Sequence, residues 1–76
     1  MTLEELKRLN WKAYRSLLDF WSELSRISIR RARIDIAEDL GSRYTLEKGD
    51  AGITFTDAHA GDVFIYSEKD DDWKFL

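Results

Sequence analysis

The sequence has no cysteine and no proline, a single histidine, and only four glycines in 76 residues. Without cysteine there can be no disulfide, no thiolate nucleophile and no zinc–thiolate site, a pattern that suits a reducing compartment. One histidine does not suffice for the two-histidine zinc motifs of hydrolases. There is no apolar run of the roughly 18 residues a membrane span needs. Nor does a positively charged start lead into a short apolar signal segment. The expectation is a soluble, cytoplasmic chain with no membrane partner. It should form one domain, residues 1–76, because a chain of 76 residues buries only about 60–65% of its unfolded surface and cannot divide further.

Catalytic signatures are also missing. The chain has no glycine-rich phosphate loop, nucleophile elbow or Cys–His pair. A domain this small rarely encloses the roughly 300–1,000 Å³ pocket that a substrate occupies. No enzyme activity and no cofactor are expected.

What the chain does have is aromatic bulk and segregated charge. Ten aromatic residues are a large apolar payload for this length. The net charge of −3 is unevenly distributed: residues 1–34 carry eight Lys/Arg against four Asp/Glu, and residues 35–76 carry four against eleven. Such segregation bears on partners more than on fold.

The first third organises the rest. Thr2–Ser25 reads as one amphipathic helix, opened by the capping box Thr2-Leu3-Glu4-Glu5. Leu3, Leu6, Ala13, Leu17, Trp21 and Leu24 form its central stripe. Leu9, Phe20 and Ile27 flank it on one side; Trp11, Tyr14 and Leu18 flank it on the other. The apolar arc spans about 200°, twice the roughly 100° that packing on one core requires. Either a curled sheet wraps the helix, or the Trp11–Leu18 edge stays outside the monomer core and meets a partner. Glu4–Arg8 and Arg15–Asp19 are spaced as i,i+4 ion pairs.

Residues 26–40 support two readings. Four isoleucines and local alternation favour a strand, with a bulge at Arg30-Arg31. Ile29, Ala32, Ile36 and Leu40 also fit helical spacing, with Gly41 as a stop. Arginines near the start and Glu38-Asp39 at the end oppose the helix dipole, which tips the choice towards strand. From Arg43 the chain reads as an antiparallel meander with Tyr44, Leu46, Ile53 and Phe55 facing inward. Val63–Tyr66 is apolar on both faces and belongs centrally, and Trp73 and Phe75 share a face of the last strand. The fold class expected is α+β: a long N-terminal helix on a four- or five-stranded, mainly antiparallel sheet. The alternative is an αα-hairpin followed by a three- or four-stranded meander.

Candidate sites are few. Asp57, His59 and Asp62 give Asp-x-His-x-x-Asp, a thin basis for a metal or a general base and more simply a polar turn. Glu68, Asp70, Asp71 and Asp72 lack the spacing of a calcium loop and read as a solvated turn. Arg26, Arg30, Arg31 and Arg33 form a basic cluster that would bind nucleic acid if it shared a face with exposed aromatics. A pI near 5.0 argues against that, and pairing with the acidic half of the same chain or of a second copy is the simpler outcome. The expected function is a non-catalytic protein-binding module: a small inhibitor, antitoxin or adaptor, of the anti-defence or immunity kind. It would mask a partner surface, alone or as a homodimer. Its contact residues are expected to be Trp11, Tyr14, Leu18 and Trp73, with Asp70, Asp71 and Asp72 presenting carboxylates. Nucleic-acid binding through Arg26, Arg30, Arg31 and Arg33 is the alternative.

Overall fold

The computed structural model describes all residues from Met1 to Leu76. Three helices precede a four-stranded antiparallel sheet: α1 (Leu3–Leu9), α2 (Trp11–Ser25), α3 (Ile29–Asp39), β1 (Tyr44–Gly49), β2 (Gly52–Asp57), β3 (Asp62–Ser67) and β4 (Asp72–Phe75). The strand order is β1-β2-β3-β4, a simple meander. The class is α+β, and the order of helices followed by meander matches the second of the two architectures above.

The capping box forms as its sequence requires. The Glu5 N–H donates to Thr2 Oγ1 at 3.1 Å, and the Thr2 N–H donates to Glu5 Oε1 at 2.9 Å. The single long helix does not form. Asn10 adopts an extended backbone (φ −155°, ψ 95°), ends α1 by donating its N–H to Leu6 O, and starts α2 by accepting the Ala13 N–H on its side chain at 3.0 Å. A side-chain amide that substitutes for a helical carbonyl can interrupt a helix without proline or glycine.

Residues 26–40 correct the strand reading as well. Ser28 caps α3 by accepting the Arg31 N–H at 3.0 Å, and Ala32 and Ile36 are fully buried. The reason is one of magnitude. Unfavourable dipole placement of an exposed charge costs about 0.3–1 kcal/mol and is screened by solvent. Burying one isoleucine contributes about 1.5–3 kcal/mol. Gly41 supplies the left-handed backbone after the helix (φ 92°), and its N–H donates to Tyr44 O at 2.8 Å.

Helix α2 is the axis of the core, packing on α1, α3 and β4. Trp21 meets Tyr44, Phe55 and Phe64 edge-on, with ring centroids 5.4, 5.2 and 6.4 Å away. The indole N–H of Trp21 and the hydroxyl of Tyr44 both donate to Asp35 Oδ2, at 2.9 and 2.8 Å, so one carboxylate on α3 joins α2 to β1. No buried side-chain nitrogen or oxygen lacks a partner. The excess apolar width of the N-terminal segment has a structural explanation. Tyr14 and Leu18 are buried, with Leu3 of α1 and Ala37 of α3 lining the same surface pocket as Tyr14. The flanking helices cover this side, not a curled sheet.

Replacing Asp35 by Ala orphans two donors and is expected to destabilise the fold by about 2 kcal/mol. Asp35→Asn, which keeps an acceptor oxygen, should cost clearly less. Urea unfolding followed by tryptophan emission measures both.

Candidate functional site

The antiparallel meander puts the β1–β2 and β3–β4 turns at one end of the sheet. The α1–α2 elbow lies at that same end. Leu9 and Asn10 line a surface pocket with Asp50 and Glu68 from the two turns, and Trp11 lines the neighbouring groove with Asp71 and Asp72. Breaking the helix at Asn10 is what turns Leu9 and Trp11 outward; they are 47% and 54% exposed. Trp11 is nonetheless held in place. It stacks on Tyr14 at 5.8 Å, and Lys7 Nζ sits 5.6 Å from both ring centroids.

Of the four apolar residues expected at a partner surface, only Trp11 is available. Tyr14, Leu18 and Trp73 are core residues, and the Trp73 indole N–H donates to Ala13 O at 3.2 Å, which fixes β4 beneath α2. Their burial follows from the short β4 crossing directly under α2 and from α1 and α3 closing the other flank. The three aspartates are exposed but engaged. Asp70 pairs with Lys74, which holds the Asp70 carboxyl below its usual range and the Lys74 amine above its own. Asp71 takes a left-handed backbone (φ 48°), accepts the Tyr66 hydroxyl at 2.7 Å on its side chain and the Ser16 hydroxyl at 2.9 Å on its carbonyl. Asp72 accepts the Trp73 N–H at 2.8 Å.

Trp11, Asp71 and Asp72 come together along one groove of about 590 Å³, whose helix wall is Lys12, Arg15, Asp19 and Glu23. From sequence these wall residues form the polar side of the helix and are not expected at a partner surface. The signal that points to them is their own i, i+4 spacing, which puts Trp11, Arg15, Asp19 and Glu23 along one side of α2. The expected Arg15–Asp19 and Glu4–Arg8 pairs do not close, since the ion pairs within 4.0 Å are Arg43–Asp57 and Lys74–Asp70.

The basic cluster lies elsewhere, at the α2–α3 connection. Arg26 ends α2 in a left-handed conformation (φ 57°), and Arg30, Arg31 and Arg33 ride on the first turns of α3. All four are exposed. None has a carboxylate within 4.0 Å, so the expected pairing with the acidic half of the same chain does not occur.

Asp57, His59 and Asp62 do not converge on a site. Asp57 is buried and its two oxygens accept from Arg43 Nε and Nη2 at 3.0 and 3.1 Å, with the His59 backbone N–H at 3.1 Å. The Arg43 guanidinium holds the Asp57 carboxyl below its usual range and is itself pushed up. No three His, Cys, Asp or Glu side chains gather to hold a metal, and no helix is long and apolar enough to cross a membrane. Compared with protein-family models, curated proteins and solved structures, the chain matches none. The functional reading therefore rests on the geometry alone.

Two titrations should frame the stability of this end-to-end arrangement. Burial, then the hydrogen bond to Asp71, pushes the Tyr66 hydroxyl up from 10.0 to about 12, and burial with Asp35 pushes Tyr44 the same way. A raised acid stabilises the fold below its unfolded value and loses that contribution as pH rises through the folded one. Stability should fall from pH 10 towards 12, less steeply in Tyr66→Phe. Asp57 has the opposite sense: its contribution is present above its ordinary value of 3.8 and disappears as pH falls through the depressed one. Thermal melts across pH should show a shallower acid limb in Asp57→Asn.

Proposed function

We infer that this chain is a non-catalytic protein-binding module that masks a partner surface with its α1–α2 elbow and the groove beside it. The observation that carries the reading is Trp11. Trp21 and Trp73 are buried, whereas Trp11 is 54% exposed yet anchored against Tyr14 and Lys7. A large aromatic that is ordered before contact loses little conformational freedom on binding, and residues of this kind dominate interface energies. Leu9 extends the apolar patch, and the turns carrying Asp50, Glu68, Asp71 and Asp72 edge it on the sheet side, while Lys7, Lys12 and Arg15 flank it on the helix side. An apolar centre edged on the sheet side by acidic turns fits a partner whose surface carries basic groups beside an apolar pocket. An inhibitor, antitoxin or adaptor of the anti-defence or immunity kind would work in this way, by occupying a surface that its target uses for something else. A partner that normally holds nucleic acid has the required basic surface. The elbow is also able to meet its own copy in a homodimer, and the cytoplasm is the compartment that suits a chain without cysteine.

Immobilised protein should retain a stoichiometric partner from a lysate of the organism that encodes it, and Trp11→Ala should weaken that retention by at least about tenfold, a hot-spot loss near 1.4 kcal/mol or more. Retention unaffected by Trp11→Ala contradicts the assignment.

A second reading is favoured by one observation: Arg26, Arg30, Arg31 and Arg33 are all exposed without acidic partners. Arg30 and Arg31 line one surface pocket with Ser28, and Arg33 lines another with Thr2 and Glu4; basic groups spread around the α2–α3 connection suit phosphate contacts. Duplex binding through them should weaken steeply with salt, with a log–log slope near −3 to −4 if all four contact phosphate. An Arg30→Ala/Arg31→Ala double variant should lower that slope by about 2. A slope near zero in the unmodified protein excludes this reading.

A further inference from the structure

The two edges of the sheet are treated differently. At β1, the Gly41 N–H donates to Tyr44 O and the Met1 ammonium donates to Leu46 O at 2.7 Å, so two outward carbonyls are covered. At β4 the edge is open. Leu76 N–H donates to Val63 O at 2.9 Å, and the register pairs Phe64 with Phe75 and Tyr66 with Trp73. Antiparallel ladders bond alternate pairs, so Asp72, Lys74 and Leu76 turn their backbone groups to β3, while Trp73 and Phe75 turn theirs away from the sheet. The Trp73 N–H is taken by the Asp72 carboxylate. The Trp73 carbonyl and both backbone groups of Phe75 have no partner, and the Phe75 side chain is 66% exposed.

The start of this edge, Asp71 and Asp72, lines the groove described above, and Phe75 adjoins its far end through Phe64, which packs on Phe75 at 4.6 Å and on Phe20 of the groove at 4.9 Å. Helix α2 and β4 run in the same direction, since Ala13 and Ser16 meet the Asp71–Trp73 end while Phe20 packs on Phe64, the cross-strand neighbour of Phe75. From Trp11 to Glu23 the helix wall is about 18 Å long, the length of about five residues of extended chain. The helix wall carries Lys12 and Arg15 at the end where Asp71 and Asp72 also line the groove, so that end holds both signs; the other end holds two unpaired acids, Asp19 and Glu23.

We propose that the groove between α2 and the open edge of β4 binds an extended segment of a partner protein, which adds to the sheet as a fifth, antiparallel strand. A second copy of this chain does not fit, because α2 packs on β4 and two such helices would collide across a β4–β4 pairing, where strands lie only about 5 Å apart. An incoming strand antiparallel to β4 meets Asp19 and Glu23 first, then the apolar shelf of Phe20 and Phe75, then Lys12 and Arg15. Its inward side chains are therefore basic and then apolar, at alternate positions, and the third, at the end lined by Lys12, Arg15, Asp71 and Asp72, is polar and of either sign. Main-chain hydrogen bonds to Phe75 and Trp73 supply the pairing, and the wall supplies direction and register. The proposal rests on the protein-binding reading above and names what enters the groove.

The probe is the blocked pentapeptide acetyl-Lys-Thr-Val-Thr-Glu-amide, with the charge-reversed acetyl-Glu-Thr-Val-Thr-Lys-amide as its comparison. Titrated into isotopically labelled protein, the first should shift the Phe75 amide resonance and slow its hydrogen exchange. The reversed peptide should bind about fivefold more weakly. Phe75→Pro removes an N–H that makes no ladder bond, and should weaken binding by at least about fivefold while the β3–β4 resonances persist. If that variant does not fold, Lys12→Glu/Arg15→Glu, changed only on the exposed wall, should instead remove the preference between the two peptides. Absence of binding, a Phe75 amide unmoved at saturation, or equal affinity for both peptides overturns strand addition. None of these results bears on whether Trp11→Ala releases a captured partner, so the two readings fail separately.

Discussion

The structure depends on one carboxylate. Asp35 accepts both the Trp21 indole N–H and the Tyr44 hydroxyl, and these two rings form the centre of the aromatic core. An indole or phenol donor buried without an acceptor costs about as much as several exposed ion pairs contribute. Trp21 and Tyr44 can therefore sit in the core only where an acceptor arrives with them. Helix α3 brings it. The strand preferred from sequence would have given Arg26–Leu40 a different side-chain phase; as a helix, α3 buries Ala32 and Ile36 while Asp35 reaches across to α2 and β1. Its poorly placed arginines are a small penalty against that gain.

Much of this was legible in the sequence where local chemistry decides. The Thr2/Glu5 box, the inward phase of Tyr44, Leu46, Ile53 and Phe55, and the central position of Val63–Tyr66 follow from capping and alternation. Two local features misled. Asn10 is an ordinary polar residue within a helical pattern until its amide is seen to cap Ala13. Four isoleucines suggested strand because propensity is counted before burial is known, and the charge placement that tipped the choice is a small, solvent-screened term. The candidate surface was harder still. Tyr14, Leu18 and Trp73 are as apolar as Trp11, and only the packing of α1, α3 and β4 onto α2 decides which of the four stays outside.

The unpaired charges belong to the same account. A chain with 27 ionisable Lys, Arg, Asp and Glu residues closes only the Arg43–Asp57 and Lys74–Asp70 pairs within 4.0 Å. Isolated exposed pairs contribute little to stability, so folding does not force charges together. Their positions instead follow from the topology: acidic turns on the sheet side of the elbow, arginines at the α2–α3 connection, and a groove wall divided between the two signs. Charges arranged in this way act on encounter and on partner choice. Aromatic packing holds the fold together, and the charged surface remains free to set specificity.

The central claim is that this surface is occupied in the cell. Its most direct test is the native mass of the protein recovered under gentle conditions from the organism that produces it. The account predicts a mass well above one 9.0 kDa chain, with a second polypeptide in fixed stoichiometry. Recovery of the single chain alone, at cellular concentration and low salt, contradicts it.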